Sequence, residues 1–218
     1  MATPVVQVLD REIPRTGPDK VPHIIRGRMV HLEPLELLAV LKAARRRSAR
    51  DWAMILIAYR HGLRASEVCD LKLAHVNLKN RQISIRRLKG SLPTMQPIER
   101  HRGQPLLDEL RALTTWLRER REDGSEFLFL SRKGGRLGRT QFFRIFKACA
   151  KEADLPAKKC HPHALKHSLA THLISENVNL AWVKQCLGHK AIGSTMKYVT
   201  VSDTQAAAGA QAALMRMF

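Results

Sequence analysis

Residues 161–200 read HPHALKHSLATHLISENVNLAWVKQCLGHKAIGSTMKYVT, and their spacing governs how the rest of the chain is read. A helix opens at Pro162 and carries His163, Lys166 and His167. These three stand at i, i+3 and i+4, so the spacing predicts that they leave one face of one helix. Leu165, Leu169, Leu173 and Ile174 occupy the opposite face and read as core. A second helix is predicted over 180–187, stopped by Gly188 and followed at once by His189. A short third helix over 194–199 carries Tyr198. Two imidazoles and an amine are thereby mounted on a buried support, with His189 and Tyr198 on short connections after it.

Working outward, the remainder predicts more helix than strand. Pro34 suits a first helical position, Leu35, Leu37, Leu38, Val40 and Leu41 form an apolar face, and Arg45, Arg46 and Arg47 crowd the C-terminal end. A second helix over 49–60 contains Trp52, Ile55, Leu56 and Tyr59 and ends at Gly62. Arg64 follows, and Ser66 and Glu67 open the next helix. Residues 76–78 and 82–86 predict a hairpin turning at Lys79 and Asn80, with a further strand over 94–98. Residues 105–121 predict one amphipathic helix, 127–130 a short buried strand, and 140–152 another helix. Gly134 and Gly135 mark a basic turn holding Arg132, Lys133, Arg136 and Arg139. The fold class is therefore α+β, mostly α-helical, with a small antiparallel three-stranded sheet and a C-terminal helix.

Three segments are expected: a basic arm or linker over 1–30, broken by Pro4, Pro14, Pro18 and Pro22; a domain over 31–200; and a tail over 201–218. The tail reads as an Ala-rich helix ending in Leu214, Met215, Met217 and Phe218, apolar enough to seek a neighbouring subunit or its own domain.

Across 218 residues there are 38 Lys and Arg against 19 Asp and Glu, a formal charge of +19. That excess points to a polyanion, and on charge alone an RNA-binding protein fits as well as a DNA-binding one. No basic amphipathic helix stands apart from the core-forming ones, which argues against a membrane surface. The longest apolar run, 53–59, is too short to span a bilayer, and Asp10 and Glu12 interrupt what a secretory signal would keep apolar. Cys69, Cys149, Cys160 and Cys186 include no CxxC pair and suit reduced, buried thiols in a cytoplasmic protein. Cys160, His161 and His163 lack further ligands at workable spacing, so no metal and no other cofactor is expected.

The motifs HALKHSLATHL (163–173), LGH (187–189) and a Tyr nine residues on closely resemble the tyrosine site-specific recombinases, or phage-type integrases. HGLRASEVCDLK (61–72) resembles that family's first arginine box, and RRLKG (86–90) its hairpin lysine. The boxes occur in the family's order over about 31–200. The wording is most similar to the fimbrial phase-switch invertases, which consist of little more than an integrase-type catalytic domain. This resemblance implies a DNA strand-transfer enzyme acting through a covalent phosphotyrosyl ester. Arg64 would hold the scissile phosphate, Lys89 would protonate the departing 5′-oxygen, and His163 would take the nucleophile's proton. Lys166 and His189 would complete a positive cradle around the transition state. Of two tyrosines, Tyr59 lies in the apolar run and Tyr198 follows a polar turn, so Tyr198 is the expected nucleophile by elimination as well as by resemblance. Arg86, Arg87, Arg132, Lys133, Arg136, Arg139, Lys158, Lys159 and His167 are candidate DNA contacts. The resemblance further implies double-stranded DNA as partner, a homo-oligomer on DNA (a tetramer), accessory DNA-bending proteins, and a bacterial, nucleoid-associated location.

One departure stands out. The family usually carries Arg where this chain has Lys166, and Lys offers a point charge in place of a bidentate fork. The sequence leaves open normal activity, slow activity, or DNA binding without cleavage. It also leaves open a type IB topoisomerase, which shares the chemistry. In every case DNA affinity is expected to fall steeply with salt, with a log–log slope near ~0.9 per phosphate neutralised. Fluorescence titrations between ~50 and ~200 mM salt check this, and a shallow slope contradicts the charge argument.

Overall fold

The computed structural model describes residues 29–88, 90–122, 124–199, 210–212 and 214–217. Its organising element is α2 (Ala49–Arg60), buried on every side from Trp52 to Ala58. An alternating polar pattern is absent there, and a helix that is apolar all round must be surrounded. It is surrounded by α1 (Pro34–Arg47), α3 (Ala65–Cys69), α4 (Glu109–Glu119) and α6 (His163–Ser175). Pro34 stands in the first turn of α1, and Ser48 caps α2 by accepting the Asp51 amide at 3.1 Å. Trp52 pins α2 by donating its indole N–H to the Leu106 carbonyl at 2.9 Å.

The sheet is three-stranded and antiparallel in the order β1 (Val76–Asn77), β2 (Gln82–Ile85), β3 (Thr94–Pro97). Val76 faces Ile83 and Ile85 faces Thr94. Ile83 and Ile85 alternate inward, as the period-2 pattern requires. The remaining helices are α5 (Arg139–Glu152), α7 (Leu180–Leu187) and α8 (Gly193–Met196). Leu169, Ala170, Val183 and Leu187 make a second, smaller core between α6 and α7, and Tyr198 packs against it. Residues 210–212 and 214–215 are helical, while the arm over 1–28 and the tail residues 200–209 lie outside the described residues.

Two expectations change. The helix expected over 105–121 is a 3-10 turn (Pro105–Leu107) followed by α4, because Asp108 leaves helical geometry to accept the Arg111 amide at 2.8 Å. Residues 127–130 make only isolated bridges, Lys72 with Phe127 and Leu130 with Arg136. Their buried side chains belong to a connection clamped by the Leu128 amide on the Leu71 carbonyl at 2.8 Å.

Gly188 ends α7 at φ +66°, and a Cβ there would meet the Leu92 carbonyl oxygen at 2.9 Å and the Arg87 side chain at 3.0 Å. Gly188→Ala is expected to cost about 1–3 kcal/mol, combining left-handed strain with a backbone clash. Urea unfolding measures it; an unchanged midpoint contradicts the crowding.

Candidate active site

The site grows from the turn after α2. Gly62 adopts φ +56°, and a Cβ there would stand 2.7 Å from Leu187 Cδ2, so α2 can end against α7 only with glycine at this point. Arg64 follows as the residue that starts α3. Glu67 reaches back from the first turn of α3, and its carboxylate accepts the Arg64 amide at 2.8 Å and Arg64 Nη1 at 2.6 Å. It also accepts the Leu88 amide at 3.1 Å and Arg87 Nη1 at 3.4 Å. Burial pushes the Glu67 pKa up, but the two amides, then Arg64 and Arg87, outweigh it and hold the group below its ordinary value.

Two buried cations close the ends of two helices. The last four carbonyls of a helix lack intrahelical partners. In α7, Lys184 O accepts the His189 amide and Gln185 O the Gly188 amide, both at 3.0 Å. Cys186 O accepts Arg87 Nη2 and Gln96 Nε2, both at 2.8 Å, and Leu187 O accepts Lys166 Nζ at 3.2 Å. The end of α2 uses the same two cations: Arg87 donates to His61 O at 2.8 Å and Gly62 O at 3.1 Å, and Lys166 to Gly62 O at 3.0 Å. Cations suit the negative ends of two helix dipoles.

These placements revise several expectations. Arg87 is fully buried at its side chain and holds the fold together, which removes it from the DNA-contact candidates. Lys166 shares a helix with His163 and His167 but points inward, with 3% exposure. Burial, then Arg87 and Arg64 nearby, bring its pKa down from 10.5 to about 7. His189 is buried, its Nδ1 2.9 Å from Thr195 Oγ1, and burial with Lys166, Arg64 and Arg87 brings its pKa down to about 4. His189 is thus a neutral imidazole near pH 7, and the expected uniformly positive cradle has one full cation on its open side, Arg64. The Arg64 guanidinium is partly exposed and makes 3.3 Å contacts to Ser91 Oγ and the Leu88 carbonyl.

Tyr198 is half-buried, and its hydroxyl lies 2.8 Å from His167 Nδ1. The expectation that made His167 a DNA contact and His163 the partner of the nucleophile is reordered here. His163 is exposed and stacks edge-on against His167 with ring centroids 4.5 Å apart. Burial raises the Tyr198 pKa to about 12, with Arg64 near enough to oppose it. Arg64, Lys166, His189 and Tyr198 therefore share one neighbourhood, although they come from three distant segments. Lys89 lies outside the described residues.

Of the surface candidates, Arg86, Arg132, Lys133, Arg139 and Lys158 are exposed. Arg136 is exposed but pairs with Asp70 at 2.7 Å. Lys159 is half-buried and tied to Glu36 at 2.6 Å, which takes it from the free surface. Three participants escaped the sequence reading: Glu67 as a joint counter-ion, Ser91, and Thr195. Only Glu67 left a signal, its position three residues after Arg64, the spacing of a helix-start carboxylate. Among the described residues no cluster could hold a metal ion, and no helix is long and apolar enough to cross a membrane.

A family model described as the phage integrase family matches residues 31–205. The chain belongs to that family. The type 1 fimbriae regulatory protein FimE of Escherichia coli K12 is 36% identical over 165 residues, covering 74% of this chain and 79% of FimE. The tyrosine recombinase XerA of Thermococcus kodakarensis is 33% identical over 197 residues, 89% of this chain and 65% of XerA. Among solved structures, a XerA recombinase superposes with TM-score 0.69 at 24% identity over 83% of this chain and 64% of that one. The XerH site-specific recombinase bound to its difH substrate gives TM-score 0.69 at 23% identity, over 85% of this chain and 55% of that one. The structural likeness establishes the integrase catalytic fold, and the sequence relationship groups the chain with the tyrosine recombinases, DNA strand-transferring enzymes.

Because Lys166 gives up its proton near pH 7 when folded and near 10.5 when unfolded, the unfolded chain binds more protons between those values. Stability is therefore expected to rise with pH across that window and to show no such slope below it. Lys166→Met should abolish this rise, so wild type gains on the variant from pH 7 to pH 9 in urea unfolding. A difference independent of pH contradicts the buried placement.

Proposed function

We propose that this chain is a site-specific DNA recombinase that breaks and rejoins DNA through a 3′-phosphotyrosyl ester on Tyr198. The observation that carries the reading is the Tyr198 hydroxyl held at 2.8 Å on an imidazole within reach of the Arg64 charge. Tyr198 attacks phosphorus, the bond to the 5′-oxygen breaks, and the ester keeps the bond energy for rejoining without a metal or high-energy cofactor. With a pKa of about 12, only about one phenol in 10⁵ is ionised at pH 7, so the proton must leave as the new bond forms.

Arg64 receives the phosphate, whose oxygens replace the long contacts to Ser91. His189 donates from Nε2 while the Thr195 hydroxyl occupies Nδ1. Lys166 adds charge from beneath, and an arriving phosphate raises the pKa of both His189 and Lys166 by opposite charge. Lys89 is the proposed acid for the leaving oxygen. Arg86, Arg132, Lys133, Arg136, Arg139 and Lys158 follow the DNA backbone. The arm over 1–30 extends that contact, residues 31–200 form the catalytic domain, and the tail over 201–218 docks on a neighbouring subunit. DNA-bound neighbours of the same fold support assembly on DNA; a tetramer with accessory bending proteins is the arrangement proposed. A second reading, a DNA-binding regulator without cleavage, draws on Lys166 being engaged by two carbonyls.

Covalent capture separates them. A randomised duplex library nicked near its centre is incubated with the protein, denatured, and the protein-bound DNA sequenced. A 3′-linked adduct that Tyr198→Phe abolishes is expected. Retained DNA binding with no adduct on any library member selects the regulator.

A further inference from the structure

We propose that His167 is the group that takes the proton from Tyr198 during cleavage and returns it during rejoining. This deepens the recombinase reading and rests on Tyr198 as nucleophile. The geometry is direct. His167 Nδ1 lies 2.8 Å from Tyr198 Oη, and the two rings tilt at 50° with centroids 5.6 Å apart. A general base must stand within hydrogen-bond reach of the proton it removes. His163, the residue that the family resemblance nominates, packs its ring edge-on against His167 at 68°, so it sets the placement of the acceptor.

The direction of the hydrogen bond follows from chemistry. A phenol O–H is a better donor than an imidazole N–H, and an imidazole nitrogen a better acceptor than a phenol oxygen. His167 is also kept neutral: burial first, then His163, His161, Lys166 and His31, bring its pKa to about 4. Nδ1 then carries the lone pair and Nε2 the hydrogen. So weak a base does not ionise a resting phenol, which keeps Tyr198 protonated until DNA is in place. As the Oη–P bond forms, the phenolic oxygen becomes positive and its proton strongly acidic. It passes to Nδ1 while the P–O5′ bond breaks and the 5′-oxygen gains a proton from the general acid or from water. The scissile phosphate adds negative charge beside the imidazole and favours the imidazolium that results. Rejoining runs the same transfers backward.

The test measures the single-turnover rate of adduct formation on a nicked duplex of the captured sequence, for wild type, His167→Ala and His167→Asn. Asn keeps a hydrogen-bond acceptor but cannot carry a proton at neutral pH. Both variants are expected to lose about 10²–10⁴-fold in rate with DNA affinity retained, and added imidazole is expected to restore His167→Ala. Cleavage by either variant at the wild-type rate overturns the proposal, as does a slow His167→Ala that imidazole fails to rescue. Should the variants not fold, nitrogen-15 spectra of DNA-free wild type decide: an unprotonated Nδ1 on His167 supports the proposal, a protonated one overturns it. An inactive wild type fails the recombinase reading and this inference together, whereas an active wild type with unaffected His167 variants fails the inference alone.

Discussion

A single buried carboxylate ties the site to the fold. Glu67 gathers two backbone amides and two guanidinium groups, and its side chain has no exposure. Removing it would leave Arg87, also fully buried, with carbonyls and no counter-charge, the arrangement that makes a broken buried pair costly. The same group decides where Arg64 stands, because one guanidinium nitrogen is anchored while the rest of the fork remains partly exposed. It also fixes the end of β2 against the start of α3 through Leu88. One acid thus sets the relation between the turn after α2, the hairpin and the reacting centre.

Beneath that acid, two helices end at the same point. The C-termini of α2 and α7 both present carbonyls with no intrahelical partner, and Arg87 and Lys166 bridge them. This convergence explains how two cations coexist in a dry interior. It also gives Lys166 a task apart from phosphate: it fastens α6 to the ends of both helices. Burial has a further effect on reactivity. The desolvation that steadies the cluster also lowers the affinity of His167, His189 and Lys166 for protons and raises that of Tyr198. The DNA-free site is therefore poorly charged on its inner side, and a bound phosphate supplies the field that charges it.

Helix positions were legible because local rules agree with the tertiary fold. Pro34, Ser48, Gly62 and Gly188 mark starts and stops whose reasons lie within a few residues, and α2 and α7 run over the residues their patterns predict. Asp108 broke a longer helix through a side-chain cap that competes locally with periodicity, and the 127–130 run was apolar for burial without being a strand. The side chains of the site were less legible. Lys166 sits one helical turn from His163, yet one points into the protein and the other to solvent, because the carbonyls that attract the amine come from residues 62 and 187.

By itself the sequence determined the helices, the antiparallel three-stranded sheet, the surplus of positive charge and the family boxes, all of which depend on neighbours in the chain. Tertiary structure alone decided that Arg87 faces inward, that His189 is neutral, and that His167 meets the Tyr198 hydroxyl. Those outcomes depend on which distant carbonyls, acids and rings converge and on how far water is excluded. Neither quantity is encoded in spacing along one helix.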